Sequence, residues 1–269
     1  MWSRILRHFF NMGPKLVSKD QVQAVIRRLA DYADDSHLDE VSRYRLAERL
    51  SNAIYPKFLF SEYGRIHLED EAFIDYYRRF MDAGNWHSFD RKYFLNQTLR
   101  LLTAVSGDLV ECGVYNGFSA YLMCHFAQSQ ARRVYLFDSC QGLSEPTTVD
   151  GSYWLKGALS MAESEIHRNL AEFKCYTLLK GWIPERFPEV EDRQFCFVHI
   201  DVDLYQPTLD SLSFFYTRLN PHGVMLFDDY GFSTCPGARR AIDEFFENKP
   251  ESVVLVPTGQ ALIIRQPDH

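Results

Sequence analysis

Residues 107–119 read Gly-Asp-Leu-Val-Glu-Cys-Gly-Val-Tyr-Asn-Gly-Phe-Ser, and this stretch decides the fold. A short apolar run from Leu109 to Cys112 is followed by glycines at positions 113 and 117. The pattern predicts a buried strand, a tight turn and a helix start whose unpaired N–H groups can face a ligand. Its G-x-x-x-G spacing differs from the G-x-G-x-x-G of dinucleotide-binding turns, and Glu111 favours a cationic or amine-bearing ligand over a pyrophosphate. A purely structural strand-to-helix turn is the alternative.

The sequence beyond this stretch alternates short apolar runs with helical or loop segments, which is typical of a parallel α/β sheet. Strands are predicted at 109–112, 133–137, 175–179, 195–200 and 224–227, and helices near 118–130, 160–172, 207–219 and 237–247. The last runs, 253–256 and 261–265, are separated by a loop that permits a hairpin but no parallel crossover. We therefore predict a Rossmann-like α/β sheet, mostly parallel with an antiparallel last strand, and helices on both faces. The irregular stretch from Ser139 to about Leu159 is a candidate active-site lid.

The first hundred residues carry apolar side chains at every third or fourth position, which predicts helices. These helices are expected after the capping-box pair Ser18 and Gln21, from about Leu38 to Ile54, from Glu69 to Met81 and from Arg91 to Ala104. The sequence thus predicts a helical N-terminal extension over residues 1–104 and an α/β domain over residues 105–269. We expect the extension to cover the substrate or to join copies of the chain in a homo-oligomer.

Composition excludes several classes of protein. The 269 residues include 29 basic and 36 acidic side chains, and the net charge of -7 disfavours nucleic-acid binding. The six cysteines show no CxxC spacing, which indicates reduced thiols and a cytoplasmic protein. No apolar run approaches the roughly 20 residues of a transmembrane segment. The amphipathic segment 1–10 can rest on a membrane surface or, as we favour, pack on its own domain or a partner subunit.

Acidic residues follow three of the predicted strands. Asp138 ends the second strand, where an open α/β sheet binds the hydroxyls of a ribose. Asp201 and Asp203 follow the fourth strand, and Asp228 and Asp229 follow the fifth. Neighbouring parallel strands bring their carboxyl ends to one crevice, so these four carboxylates would repel one another unless a cation lies among them. Oxygen ligands without His or Cys favour Mg²⁺ over zinc; solvated helix-capping acids are the alternative.

At these residues the chain resembles the TylF-type, macrocin O-methyltransferase-like family of sugar O-methyltransferases, which act in macrolide and aminocoumarin biosynthesis. The resemblance covers about Gly107 to Arg265. It is carried by Leu109-Val-Glu-Cys-Gly-Val114, Phe137-Asp-Ser139 with Gly142-Leu143, Lys180-Gly-Trp182, Asp201-Val-Asp-Leu-Tyr205 and Asp228-Asp-Tyr-Gly231. It implies a class I methyltransferase domain that uses S-adenosylmethionine and Mg²⁺.

The resemblance also implies a role for individual residues. The expected metal ligands are Asp201, Asp228 and Asp229, and Asp203 is the expected general base. The residues expected around the methionine end of the cofactor are Glu111, Gly113, Tyr115, Gly117 and Ser119. Asp138, followed by Ser139, is expected at the ribose, and Gly181 with Trp182 near the adenine. The chain departs from the family at Gln206-Pro207-Thr208, where Ser-Thr is frequent, so a polar contact near the substrate is lost.

The implied reaction is an in-line displacement in which an acceptor oxygen attacks the methyl carbon of a sulfonium. A sugar hydroxyl is a weak acid, so it needs a base for its proton and a cation to stabilise its negative charge. We expect a small-molecule acceptor, a sugar or glycosylated metabolite with a vicinal diol. A catechol-type O-methyltransferase is the nearest alternative. A metal-dependent glycosyltransferase using Asp201-Val202-Asp203, or a non-enzymatic module that binds S-adenosylmethionine, represents another class.

Overall fold

The computed structural model of the protein describes Arg27, residues 69–80 and residues 89–267. The chain divides into two compact units, Met1–Asp75 and Tyr76–His269. The helices predicted after Ser18 and from Leu38 to Ile54, like the amphipathic segment 1–10, lie outside the described residues. In the first unit, the carboxylate of Asp70 accepts the N–H of Phe73 at 3.0 Å, which caps the start of the helix at Glu71.

The described helices are α1 (Glu71–Phe80), α2 (Phe89–Leu99), α3 (Phe118–Ser129), α4 (Glu163–Asn169), α5 (Tyr205–Phe215) and α6 (Pro236–Phe246). The strands are β1 (Asp108–Cys112), β2 (Val134–Asp138), β3 (Tyr176–Lys180), β4 (Phe195–Ile200), β5 (Leu219–Phe227), β6 (Val254–Leu255) and β7 (Ala261–Ile264). From β1 onward the described strands alternate with helices, except that β3 is followed by β4 and β6 by β7 without an α-helix between them. None of the described helices has the length and apolarity needed to cross a bilayer.

The seven strands form one sheet in the order β3-β2-β1-β4-β5-β7-β6. Strands β1 to β5 pair in parallel, and β7 pairs antiparallel with both β5 and β6. The predicted Rossmann-like sheet with an antiparallel end is therefore confirmed. The chain moves outward in one direction from β1 to β3 and in the other from β4 to β5. The carboxyl ends of β1 and β4 thus flank the switch point at which such sheets bind ligands.

The centre of the sheet is apolar because both of its faces are covered. Every residue of β4 is buried, including the polar His199. On one face, the ring of Phe215 from α5 lies 4.8 Å from that of Phe187 and 5.4 Å from that of Phe195, in edge-on contacts. Rigid packing of this kind holds the strand ends, and the side chains that follow them, in fixed positions.

The element boundaries differ from the prediction mainly at β5, which begins at Leu219 instead of 224. Leu219 pairs with Phe195 before the register between β4 and β5 shifts. Within β5, residues Asn220 to His222 separate this first pair from the rest of the strand. These three residues are at most half-buried, and His222 has a positive φ of 66°. The sequence Asn-Pro-His-Gly at 220–223 is typical of a turn. The apolar pattern therefore does not reveal that β5 already begins at Leu219, before this irregular segment.

Candidate active site

A cavity of about 440 Å³ opens at the carboxyl ends of β1 to β5. Most of the residues predicted for the site line it: Gly113, Tyr115, Asp138, Ser139, Gly181, Trp182, Asp201, Asp203, Asp228 and Asp229. The glycine turn after β1 and the acidic residues after β4 and β5 therefore share one space. Part of the irregular stretch 139–159 closes another side of the cavity through residues such as Leu143, Tyr153 and Trp154.

The turn after β1 is fixed by a glycine and a carboxylate. Gly113 has φ +85°, and a Cβ there would lie 1.8 Å from the carbonyl oxygen of Asp201, so a side chain is excluded. The carboxylate of Asp138 accepts the N–H groups of Val114 at 2.8 Å, Tyr115 at 3.0 Å and Cys140 at 2.7 Å. An ionised carboxylate offers about four acceptor positions, so Asp138 can still accept a ligand hydroxyl.

Three of the predicted cofactor-binding residues are not among those that line this cavity. Glu111 is buried on β1, where one of its oxygens contacts Nδ1 of His199 at 2.9 Å. Its other oxygen has no hydrogen-bond partner among the described residues. Gly117 is buried at the start of α3 with φ 85°, and the hydroxyl of Ser119 accepts from the ammonium of Lys92 at 2.7 Å. Cofactor binding by these three residues stays a prediction.

The four aspartates that follow β4 and β5 form two adjoining groups. Side-chain ligand atoms of His199, Asp201 and Asp228 lie within 4.8 Å of one another, as do those of Asp203, Asp229 and Cys235. The backbone joins the groups, because the N–H of Asp203 donates to Asp229 Oδ2 at 2.9 Å.

Among the described residues, cationic or amide side chains contact both carboxylate oxygens of Asp228. Its Oδ2 lies 2.5 Å from Arg91 Nη1 and 3.9 Å from Lys92 Nζ. Its Oδ1 accepts from the amide of Gln260 at 2.6 Å and lies 3.4 Å from His199 Nε2. Burial alone would raise the pKa of Asp228, but the neighbouring Lys92, Arg91 and His199 hold it well below its usual range. Asp228 is therefore ionised at neutral pH.

The other three aspartates have raised pKa values. Burial and the charges of Asp228 and Asp229 raise the pKa of Asp201 to about 8. Burial and the charge of Asp201 raise the pKa of Asp203 to about 7. Burial and the charges of Asp203 and Asp228 raise the pKa of Asp229 well above its usual range. Perturbation of this kind is typical of functional sites.

His199, on β4, contacts two carboxyls of the site. Its imidazole is fully buried between Glu111 and Asp228. Burial by itself would lower the pKa of His199, but its hydrogen bonds to Asp228 and Glu111 raise it to about 9. The imidazole is therefore cationic at neutral pH.

Sequence reasoning did not identify four side chains of this site: Arg91, Lys92, Cys235 and Gln260. Arg91 and Lys92 are on α2, and Arg91 is 137 positions from its partner Asp228. Cys235 and Gln260 are each 32 positions from the aspartates that they contact. The local signal that could have pointed to them was the pair of adjacent cations, Arg91 and Lys92, near the start of a helix.

The residues present fit a divalent cation. The cluster at the ends of β4 and β5, taken together with Glu111 on β1, contains five carboxyls: Glu111, Asp201, Asp203, Asp228 and Asp229. The cationic side chains that the described part of the chain places against them are Arg91, Lys92 and His199. If all these groups are ionised, two negative charges remain uncompensated. All three predicted ligands line the cavity, but the two groups divide them: Asp201 and Asp228 lie with His199, and Asp229 lies with Asp203 and Cys235. Their carboxylate oxygens are of the type that Mg²⁺ prefers.

Comparison with known proteins agrees with this architecture. Residues 95–253 match the family described as Macrocin-O-methyltransferase (TylF). The chain is 30% identical over 152 residues to 8-demethyl-8-(2,3-dimethoxy-alpha-L-rhamnosyl)-tetracenomycin-C 4'-O-methyltransferase of Streptomyces olivaceus, covering 51% of this chain and 58% of that protein. It is 30% identical over 160 residues to demethyldecarbamoylnovobiocin O-methyltransferase of Streptomyces niveus, covering 52% and 58%. The matches thus span less than two thirds of these relatives.

Solved structures show the same fold. The O-methyltransferase NovP superposes with a TM-score of 0.58 at 23% identity, covering 67% of this chain and 81% of that one. The calicheamicin methyltransferase CalS11 superposes with a TM-score of 0.60 at 16% identity, covering 94% and 95%. The sheet order and the cavity at its switch point define the fold of the class I methyltransferases. Within that class, the chain belongs to the Macrocin-O-methyltransferase (TylF) family.

Proposed function

We propose that this protein is a Mg²⁺-dependent O-methyltransferase that transfers the methyl group of S-adenosylmethionine to a hydroxyl of a sugar or a glycosylated natural product. The observation that carries the proposal is that the glycine turn after β1 and the aspartates after β4 and β5 line one cavity. Membership of the family supports the reaction class. The Streptomyces olivaceus relative is named as a methyltransferase of a rhamnosyl-tetracenomycin, which supports a glycosylated acceptor.

In this proposal the cofactor occupies the side of the cavity formed by the ends of β1, β2 and β3. Gly113 leaves room for close approach of the ligand, since a Cβ there has no space. The free acceptor position of Asp138 would receive a ribose hydroxyl, and Trp182 would contact the adenine. These contacts would orient the sulfonium so that its methyl group faces the aspartates, which is the positioning that an in-line displacement requires.

Asp203 is the proposed general base. Its carboxyl is buried, faces the cavity and has a pKa raised to about 7, so it can accept a proton near neutral pH. The acceptor oxygen forms its bond to the methyl carbon as the carbon–sulfur bond breaks, and the hydroxyl proton passes to Asp203. Asp201, Asp228 and Asp229 would hold Mg²⁺. Bound Mg²⁺ would supply positive charge beside the attacking oxygen, and two adjacent hydroxyls would suit such a site.

The N-terminal part of the chain is proposed to complete the acceptor site or to join copies of the protein. Among the described residues, α2 supports the first role, because Arg91 lines the cavity and contacts Asp228.

The proposal is tested by measuring S-adenosylhomocysteine formation with glycosides that carry vicinal diols and with catechols, in Mg²⁺ and in excess chelator. Asp203→Asn should lower kcat by about 10²- to 10⁴-fold, because the base is lost, while calorimetric affinity for S-adenosylhomocysteine stays unchanged. The control is Asp243→Asn, since Asp243 is on α6 and pairs with Tyr230 outside the cavity lining.

The assay separates the proposal from its rivals. Turnover of catechols alone would indicate a phenol methyltransferase. Cofactor binding without turnover of any acceptor would indicate a binding module. Full activity in excess chelator would remove Mg²⁺ from the mechanism, and wild-type turnover by Asp203→Asn would assign the proton to another group.

A further inference from the structure

A chain of side-chain hydrogen bonds connects the irregular stretch 139–159 with Asp203. The indole Nε1 of Trp154 donates to the sulfur of Cys235 at 3.3 Å. The thiol of Cys235 in turn donates to Asp203 Oδ1 at 3.4 Å. Cys235 is 2% exposed and precedes α6, so its position is set by the fold.

The part of the stretch before Trp154 is docked by a buried carboxylate. Asp150 Oδ1 accepts the N–H of Tyr205, the first residue of α5, at 2.7 Å, and Asp150 Oδ2 accepts the N–H of Thr147 at 2.8 Å. A Cβ on Gly237 in α6 would lie 2.0 Å from Asp150 Oδ1, so the stretch packs directly against the start of that helix. Trp154 therefore reaches Cys235 from a segment that is held in place.

The exposed neighbours of Trp154 differ from it in environment. Tyr153 is 53% exposed and Leu155 is 73% exposed, whereas Trp154 is half-buried. The indole thus points inward and joins the hydrogen-bond chain, while the residues on either side remain available to solvent.

Asp203 itself needs external support. Its φ of 60° is uncommon for a residue with a Cβ. The bond from its N–H to Asp229 fixes its backbone, and the thiol of Cys235 contacts its carboxylate. The backbone hydrogen bond to Asp229 fixes the position of Asp203. The contact with the thiol of Cys235 orients its carboxylate oxygens.

We propose that Cys235 is a positioning residue that orients the carboxylate of Asp203, and that Trp154 fixes Cys235 so that the base is aligned when the stretch 139–159 is docked. This inference rests on the proposed function, because it takes Asp203 as the proton acceptor. It adds two residues to the reaction and makes the stretch a structural condition for proton removal.

The first experiment measures kcat and KM for Cys235→Ala, Cys235→Ser and Trp154→Phe. Loss of the thiol should lower kcat about tenfold, the effect of roughly 1.4 kcal/mol, with little change in KM for S-adenosylmethionine. Serine keeps a donor and should restore kcat to within about threefold of wild type, and Trp154→Phe should lower kcat less than Cys235→Ala. Cys196→Ala is the matched control, since Cys196 is a buried thiol on β4 outside the cavity lining, and it should retain wild-type kcat.

A double-mutant cycle distinguishes positioning from a general structural effect. If Cys235 acts through Asp203, Cys235→Ala should cause no further loss of kcat when Asp203 is already Asn. An equal loss in both backgrounds would overturn the proposal, as would wild-type kcat in Cys235→Ala.

A second measurement is independent of turnover. Amide hydrogen exchange over residues 150–158 should be faster in Trp154→Phe and Cys235→Ala than in wild type and Cys196→Ala, because the stretch loses its contact with Cys235. Unchanged exchange in both variants would overturn the docking role. If the wild-type protein forms no product with any acceptor, the proposed function fails, and the assignment of Asp203 as the base fails with it. The exchange experiment would still decide whether Trp154 and Cys235 hold the stretch 139–159 in place.

Discussion

Replacing Lys92 by Met should destabilise the protein by about 3 kcal/mol or more in metal-free buffer at pH 7. The ammonium of Lys92 is 1% exposed and lies 3.8 Å from Asp201 and 3.9 Å from Asp228. At an effective dielectric constant of about 20, a pair of unit charges at this distance attracts by about 4 kcal/mol. Asp201 contributes little to the attraction on Lys92, because its pKa of about 8 leaves it mostly protonated at pH 7. Asp228 is ionised, so its attraction to Lys92 dominates the loss.

Thermal unfolding measures this effect. For a protein of this size each kcal/mol corresponds to about 2–4 °C, so Lys92→Met should lower Tm by about 6–12 °C. Added Mg²⁺ should raise Tm more in the variant than in wild type, since the cation restores positive charge beside Asp228. Methionine nearly preserves side-chain length, so the change chiefly reports the charge and its hydrogen bond to Ser119.

The matched control is Lys156→Met, which removes an exposed ion pair with Glu145 and should change Tm by less than about 2 °C. A Tm of Lys92→Met within the same margin of wild type would show that the buried ammonium does not compensate the aspartates, and the electrostatic description of the site would be wrong.

Three further predictions concern the same cavity. Gly113→Ala should weaken S-adenosylhomocysteine binding at least about tenfold by calorimetry, because φ +85° and the Asp201 carbonyl 1.8 Å from the new Cβ force the turn to move; unchanged affinity would place the cofactor elsewhere. Asp228→Asn should weaken calorimetric Mg²⁺ binding and lower Tm, since Arg91, Lys92 and His199 lose their shared counter-charge; an unaltered Mg²⁺ affinity would contradict its role as a ligand. In metal-free buffer, stability should fall as the pH rises from about 4 to 9, because native Asp203, Asp201 and His199, with pKa values of about 7, 8 and 9, bind protons that the unfolded chain has released. A Tm that is flat or rises between pH 6 and pH 9 would contradict this assignment.

The fold was predictable because each central strand is a short apolar run that ends at a chemically distinct residue. Asp138, Asp201 and Asp228 all follow such runs, so their meeting at one edge of a parallel sheet follows from topology alone. The early start of β5 was not predictable, because pairing at Leu219 depends on the neighbouring Phe195 and not on the local Asn-Pro-His-Gly sequence.

The aspartates of the site were predictable, but the side chains that set their charge were not. Arg91 and Lys92 come from a helix that carries no motif, and Gln260 lies in the turn before β7. Nothing in the sequence near these residues shows which carboxylate they contact. The position of Glu111 shows the same limit, since its place in the motif predicts a ligand contact whereas its nearest described partner is the buried His199.

The carboxyl groups of the site fall into two kinds that differ in the direction of their pKa shift. Asp228 is held ionised by Arg91, Lys92 and His199, so it offers a fixed negative charge whether or not a cation is bound. Asp201 and Asp229 retain protons because burial, and then the charges of neighbouring carboxylates, raise their pKa values. This protonation reduces the repulsion between the carboxyl groups. If Mg²⁺ binds here as proposed, it displaces those protons, and its affinity should therefore increase as the pH rises.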